Sequence, residues 1–334
     1  MKILKKYGYF IFLAICLIFP ILIRRLDYIS ILTLAFIYVI LALGLNVIVG
    51  FCGLLALGFA AFYGGGAYTT ALFATHLNLQ FLPILFFVII FSILFGAICG
   101  APVLRLRGDY LAIVTLGFGE ITRIIFNNWD SVTNGPKGIS GISPPNLFGF
   151  IVKSPMQFYY FALVFVVIQV IILLRLDNSR IGRAWIAIRE DEVAASSIGI
   201  NITKLKLFAF ILGSIFAGIA GCLFAQWQSF VSPESFTFYE SVLILCMIVI
   251  GGIGSIPGVI IGAIILALLP EVLREFLSGF QTYRMLFFGL VLILMMIFRP
   301  QGIFYNPRRR AELLPANEYV KMEEDESLFD DRRK

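Results

Sequence analysis

Apolar residues dominate this chain in long runs, broken by short polar or glycine-rich segments. The runs fall at about 7–23, 29–49, 53–74, 82–103, 109–128, 157–174, 207–228, 238–252, 255–273 and 283–298. Most have the ~17–25 residues a helix needs to cross a ~30 Å hydrocarbon core, and that at 238–252 is short. The pattern predicts an all-α, polytopic transmembrane bundle of about ten spans, with eight to eleven compatible with it. Gly50-Phe-Cys-Gly53 and Gly251-Gly-Ile-Gly254 interrupt the runs and suit broken or re-entrant helices.

One polar segment departs from this pattern. From Arg183 to Ile198 the spacing predicts an amphipathic helix of roughly 24 Å. Ile181, Trp185, Ile188, Ala195 and Gly199 share one stripe, while Arg183, Glu190 and Asp191 point away. Glu192 interrupts the stripe three residues after Arg189, a pairing distance. Gly199 ends the helix. Such a helix either lies on lipid headgroups or serves as a docking knob for a soluble partner.

Composition agrees with a membrane protein: of 334 residues 60% are hydrophobic and 14% charged, against about a quarter charged in soluble domains. Mean hydropathy is +0.96. The net charge of +6 divides unevenly: residues 311–334 hold eight acids and four bases, leaving about +10 on residues 1–310. That positive charge flanks spans and does not indicate nucleic-acid binding. With the N-terminus inside, 19 of the 26 Lys and Arg fall on inner segments, at 2–6, 105–107, 175–206 and 299–334. Both termini and the 175–206 loop are therefore expected in the cytoplasm, with 129–156 as a periplasmic loop. Arg24-Arg25 is the exception. Residues 1–306 are read as the transmembrane domain and 307–334 as a charged, disordered cytoplasmic tail. Arg308-Arg-Arg310 is suited to anionic lipid.

Charges at membrane depth are expensive and mark sites by default. Glu120 lies mid-run with Arg123 three residues on, either as a self-neutralised pair or on a polar pathway with Thr115, Thr122 and Asn127. Glu240, Glu271 and Arg274 are close enough to span ends to reach the interface. Gly254, Gly258 and Gly262, and Gly96 with Gly100, repeat at four-residue spacing and allow close helix packing.

Catalytic motifs are missing. There is no phosphate-binding G-x-x-x-x-G-K-[ST], no G-x-S-x-G and no H-E-x-x-H, and His76 is the only histidine. The five cysteines have no metal or redox spacing. The chain is expected to move a solute rather than convert one, with no metal, catalytic residue or cofactor of its own. Energy would come from a separate ATPase or an ion gradient, and Glu120 is the only clearly central carboxylate for the latter.

Several stretches together resemble one family. They are Gly182-Arg-Ala-Trp-Ile-Ala-Ile-Arg-Glu-Asp-Glu-Val-Ala-Ala-Ser-Ser-Ile-Gly-Ile-Asn201, Leu104-Arg-Leu-Arg-Gly-Asp-Tyr-Leu-Ala-Ile-Val-Thr-Leu-Gly-Phe-Gly-Glu-Ile121, Ser232-Pro-Glu-Ser-Phe236, Gly251-Gly-Ile-Gly-Ser-Ile-Pro-Gly258 and Phe298-Arg-Pro-Gln-Gly302. Their order over residues 40–303 resembles the M-type permease subunits of branched-chain amino acid ABC importers. The resemblance implies a bacterial inner-membrane protein that works with a second permease subunit, two ATP-binding subunits carrying ATP and Mg, and a periplasmic substrate-binding protein. It makes the 183–199 segment a coupling helix, with Arg183, Trp185, Arg189, Glu190, Glu192, Ala194 and Ala195 at the ATPase and Gly199 as the stop. The family pattern E-A-A-x-x-x-G is met at Ala194, Ala195 and Gly199, but Val193 holds the acid's place and Glu192 precedes it. Leu, Ile and Val are the implied cargo. Urea, short amides or other amino acids, or an ion-coupled carrier, are the alternatives.

Overall fold

The computed structural model describes residues 16–20, 26–103, 109–147, 149–276 and 290. The first and last apolar runs, the Arg24-Arg25 pair and the charged tail lie wholly or largely outside them. What is described is a helical bundle with two central members.

The first is α1, Leu26–Asn46, which continues as a π-helical turn over Val47–Phe51. From Ala35 to Asn46 every residue but Tyr38 is buried, so this helix has no polar stripe. The second is α9, Ile202–Gln228, capped at its start by the Asn201 carboxamide, which accepts from the Lys204 amide at 3.1 Å. Between them in sequence come α2 (Ala60–His76), α3 (Phe81–Val103), α4 (Asp109–Asn128), the short α5 (Asp130–Thr133) and α6 (Pro155–Asp177). Two shorter helices follow in the next loop, α7 (Arg180–Glu190) and α8 (Glu192–Ser197). After α9 come α10 (Phe238–Gly251) and α11 (Ile256–Phe276).

Small residues set how closely α9 packs. A Cβ on Gly66 of α2 would fall 2.3 Å from the Gly218 carbonyl oxygen, so those backbones touch. Gly96 and Gly100 do similar work on α3, where added Cβ atoms would meet Ser214 Oγ at 2.2 Å and Leu207 Cδ1 at 3.1 Å. The Ser214 hydroxyl also donates to the Ser92 carbonyl at 2.8 Å. With no water in hydrocarbon, hydroxyls satisfy themselves locally. Thr33, Thr69 and Thr70 donate to carbonyls one turn back at 2.7–2.8 Å. The outward faces are apolar in turn: Phe86, Leu94 and Ile98 on α3, Ile113 and Ile121 on α4, Val164 and Ile171 on α6.

Among the described residues, five helices are long and apolar enough to cross a membrane: Leu26–Phe51, Phe81–Ala101, Tyr110–Asn128, Pro155–Asp177 and Ile202–Gln228. Phe238–Gly251 and Ile256–Leu269 are shorter apolar helices. Within the 53–74 run the helix begins only at Ala60, and residues 52–59 form an irregular, mostly buried segment with Gly53 at φ +73°. The 129–154 connector is ordered by two small antiparallel pairs. Ile139–Ser140 (β1) pairs with Phe230–Val231 (β4), tying the loop to the end of α9, and Asn146–Leu147 (β2) pairs with Phe150–Ile151 (β3).

Candidate functional site: the α7–α8 helix pair

The expected single helix is two. Ser179 starts α7 three residues earlier than the stripe suggested, its hydroxyl accepting from the Ile181 and Gly182 amides at 3.2 Å each. Asp191 then leaves helical geometry (φ −154°, ψ 114°), and its carboxylate accepts from the Val193 and Ala194 amides at 2.7 and 3.0 Å. Asp191 is thus an N-cap rather than a free outward charge. Gly199, at φ +84°, terminates α8 where the sequence placed the stop.

Several residues expected at a partner turn inward instead. Trp185 is fully buried, stacked between Phe51 and Phe208 with centroids at 6.5 and 5.7 Å, and its indole N–H donates to the Leu205 carbonyl at 2.9 Å. Arg189 lies along Gly53 and donates from Nη1 to the Gly50 carbonyl at 2.8 Å, inside the π turn. Glu192 forms its ion pair with the buried Lys206 of α9 and not with Arg189. Ala195 is buried as well. Burial raises the nearby Cys52 thiol to about 12, with Lys206 lowering and Glu192 raising it to smaller extents.

What remains open is a compact surface. Arg183, Glu190 and Ala194 are exposed, and so are Val193 and Ile198 at 65% and 75%. Sequence reasoning missed the last two. Val193 occupies the family's acid position, and an isolated Ile before a glycine stop looks like a stripe residue until the break at Asp191 rotates α8.

The inward side of α7 bears on two helix breaks. The Asn46 carboxamide oxygen accepts from the Gly254 amide at 2.9 Å, across from the Gly50 carbonyl held by Arg189. Gly254, grouped by spacing with Gly258 and Gly262, is a turn residue at φ +80° between α10 and α11 and not part of a helix row. Gly258 and Gly262 do pack closely. A Cβ on Gly251 would sit 2.3 Å from the Gly258 carbonyl oxygen, and one on Gly262 would sit 2.4 Å from that of Met247.

The membrane-depth candidates on α4 divide between two faces. Glu120 and Arg123 pair at 2.9 Å, each side chain about a third exposed (33% and 32%). Thr115 and Thr122 are buried on the neighbouring face. Thr115 Oγ1 accepts from the Leu57 amide at 3.0 Å, fastening the 52–59 segment, and Thr122 donates to its own helix at the Phe118 carbonyl. Glu240 differs more: its carboxylate accepts from the Tyr38 hydroxyl at 3.0 Å, within the bundle rather than at its edge. Among the described residues, no group of three or more His, Cys, Asp or Glu is placed to hold a metal ion.

Comparison with known proteins gives a consistent result. The profile of the family described as branched-chain amino acid transport system / permease component matches residues 28–296. The high-affinity branched-chain amino acid transport system permease protein LivM of Salmonella typhimurium is 45% identical over 90% of this chain and 75% of that protein. LivM of Escherichia coli K12 is 43% identical over 93% and 77%. The permease protein LivH of Escherichia coli K12 is 35% identical over 39% of this chain and 41% of its own. No solved structure matches. An all-helical, multi-pass architecture, an exposed knob between long spans and a profile match over most of the length agree: the chain belongs to the permease-component family of branched-chain amino acid transport systems.

Proposed function

We propose that this chain is one transmembrane permease subunit of an ATP-driven importer for Leu, Ile and Val in the bacterial inner membrane. It spans the membrane about ten times with both termini in the cytoplasm. A second permease subunit completes the pathway, two ATP-binding subunits dock below, and a periplasmic binding protein delivers cargo above. ATP and Mg belong to the ATP-binding subunits; this chain is a transport subunit and performs no catalysis.

The observation that carries this reading is the division of labour across α7–α8. Trp185, Arg189 and Glu192 clamp the pair to the π turn and α9, with Ala195 buried beside them. Val193, Ala194 and Ile198, with Arg183 and Glu190 beside them, form the face offered to an ATPase. An apolar patch rimmed by charges suits a protein partner better than headgroups, which favour a basic rim. The Glu120–Arg123 pair, about a third exposed at mid-helix, supports a side of α4 turned to the second permease or the pathway rather than to lipid.

The test is co-purification with the partner subunits, reconstitution in vesicles, and leucine uptake with and without ATP. ATP-dependent leucine uptake is expected. Uptake driven by an ion gradient without an ATPase would overturn the importer, and ATP-driven transport of urea but not leucine would replace the cargo.

A further inference from the structure

Glu120 is the twelfth residue of the 20-residue α4, ~17 Å from the Asp109 end and ~12 Å from the Asn128 end at 1.5 Å per residue. Arg123 follows one turn later, and both of its contacts fall on a single carboxylate oxygen. Its Nε and Nη2 each donate to Glu120 Oε2 at 2.9 Å. Glu120 Oε1 and Arg123 Nη1 have no hydrogen-bond partner among the described residues. The pair therefore presents one anionic acceptor and one cationic donor side by side, on side chains about a third exposed.

The threonines of the same helix are satisfied inside the chain. Thr115 accepts from the Leu57 amide at 3.0 Å and donates to the Ala112 carbonyl at 2.9 Å, and Thr122 donates to the Phe118 carbonyl at 2.9 Å. Both are buried, whereas Ile113, Ile121 and Ile124 on the opposite face are 65%, 57% and 50% exposed. At 100° per residue, Glu120 and Arg123 lie on the border between these two faces. Gly117, one turn before Ile121, belongs to the open face, and a Cβ added there would meet nothing within 4 Å.

These features select a ligand. Charges at this depth do not face hydrocarbon. The pair is neutral as a whole, so a lone anion or cation beside it would leave a net charge in the membrane, and a molecule bearing both charges would not. An amino-acid zwitterion is such a molecule. Its ammonium brings N–H donors to Glu120 Oε1, its carboxylate accepts from Arg123 Nη1, and both bonds are charge-assisted. The gap over Gly117 beside Ile121 suits an aliphatic side chain and offers a polar one no partner. A zwitterionic lipid headgroup carries the same charges but lies at the interface, beyond the ends of the helix.

We infer that the Glu120–Arg123 pair holds the α-ammonium and α-carboxylate of the amino acid in transit, with its side chain over Gly117 and Ile121. The inference rests on the importer reading above and deepens it, placing the pair in the pathway with a stated ligand rather than against the second permease.

The test compares the reconstituted wild-type assembly with the double variant Glu120→Gln, Arg123→Gln, which removes both charges and leaves neither unpaired. The readouts are leucine uptake and photo-leucine crosslinking during ATP-driven turnover. The double variant is expected to lower uptake at least tenfold while partner co-purification and melting temperature stay at wild-type values. Photo-leucine is expected on wild-type peptides covering residues 113–124, with that labelling lost in the double variant. A wild-type assembly that moves no leucine with ATP would overturn this inference together with the importer reading. ATP-driven wild-type uptake with the double variant within twofold would overturn the inference alone. So would wild-type turnover without crosslinks at 113–124, which assigns the pair to packing or to the second permease. If the double variant does not assemble, the wild-type crosslinks decide: labelling at 113–124 upholds the site and its absence overturns it.

Discussion

Trp185 shows how one side chain changes meaning once its surroundings are known. A tryptophan on an amphipathic stretch suggests a partner contact, yet here both ring faces and the indole N–H are satisfied within the chain. Trp185→Ala would leave a cavity and remove the indole's hydrogen bond to the Leu205 carbonyl, a loss of about 3–5 kcal/mol by analogy with other buried aromatics. A lower melting temperature of the purified subunit in detergent is expected, with transport falling as a consequence. Cys52 offers a gentler probe of the same corner. Its thiol, pushed up to about 12 by burial, carries almost no thiolate at neutral pH. Maleimide labelling at pH 7.5 is expected to lag that of a free cysteine at least a hundredfold and to rise with pH. Neither property was legible in the sequence, because both depend on residues distant along the chain: Phe51 and Phe208 around the ring, and Lys206 and Glu192 near the thiol.

At the scale of elements, the apolar runs located the five long apolar helices among the described residues, since twenty consecutive hydrophobic residues leave the chain few options in lipid. Helix interruptions were less legible. Asp191-Glu-Val-Ala is a capping sequence, but it is embedded in a stretch whose periodicity continues on both sides, so the break was hidden by the pattern around it. Removing the cap with Asp191→Ala is expected to destabilise α8 by about 1 kcal/mol and weaken co-purification of the ATP-binding subunits while the membrane bundle keeps its melting temperature. Val193→Glu and Ile198→Asp act on the exposed face without touching the clamp. Each is expected to reduce ATPase recovery several-fold, and unchanged recovery would remove α8 from the interface.

The whole molecule is a set of helices drawn together on α9 by glycine. Gly218→Leu would drive a side chain into Ser92 and Val88 of α3, and a failure to accumulate in the membrane is expected, measured by immunoblot of membrane fractions. The sequence marked small residues as packing positions but not which helices they join, because spacing carries no information about the opposite surface.

The face of α8 proposed for ATPase docking is hung from a cap at Asp191 and cut off by a left-handed glycine at Gly199, while everything that fastens it to the bundle, apart from Glu192 and Ala195, comes from residues outside that interval. Such a unit is interchangeable. Replacing Val193, Ala194 and Ser196–Ile198 with their counterparts from another importer would redirect the permease to a foreign ATPase while leaving its cargo unchanged. Organisms running several related importers would then keep their motors apart through a handful of surface positions, and the same positions would let an engineered importer be given a motor of its own.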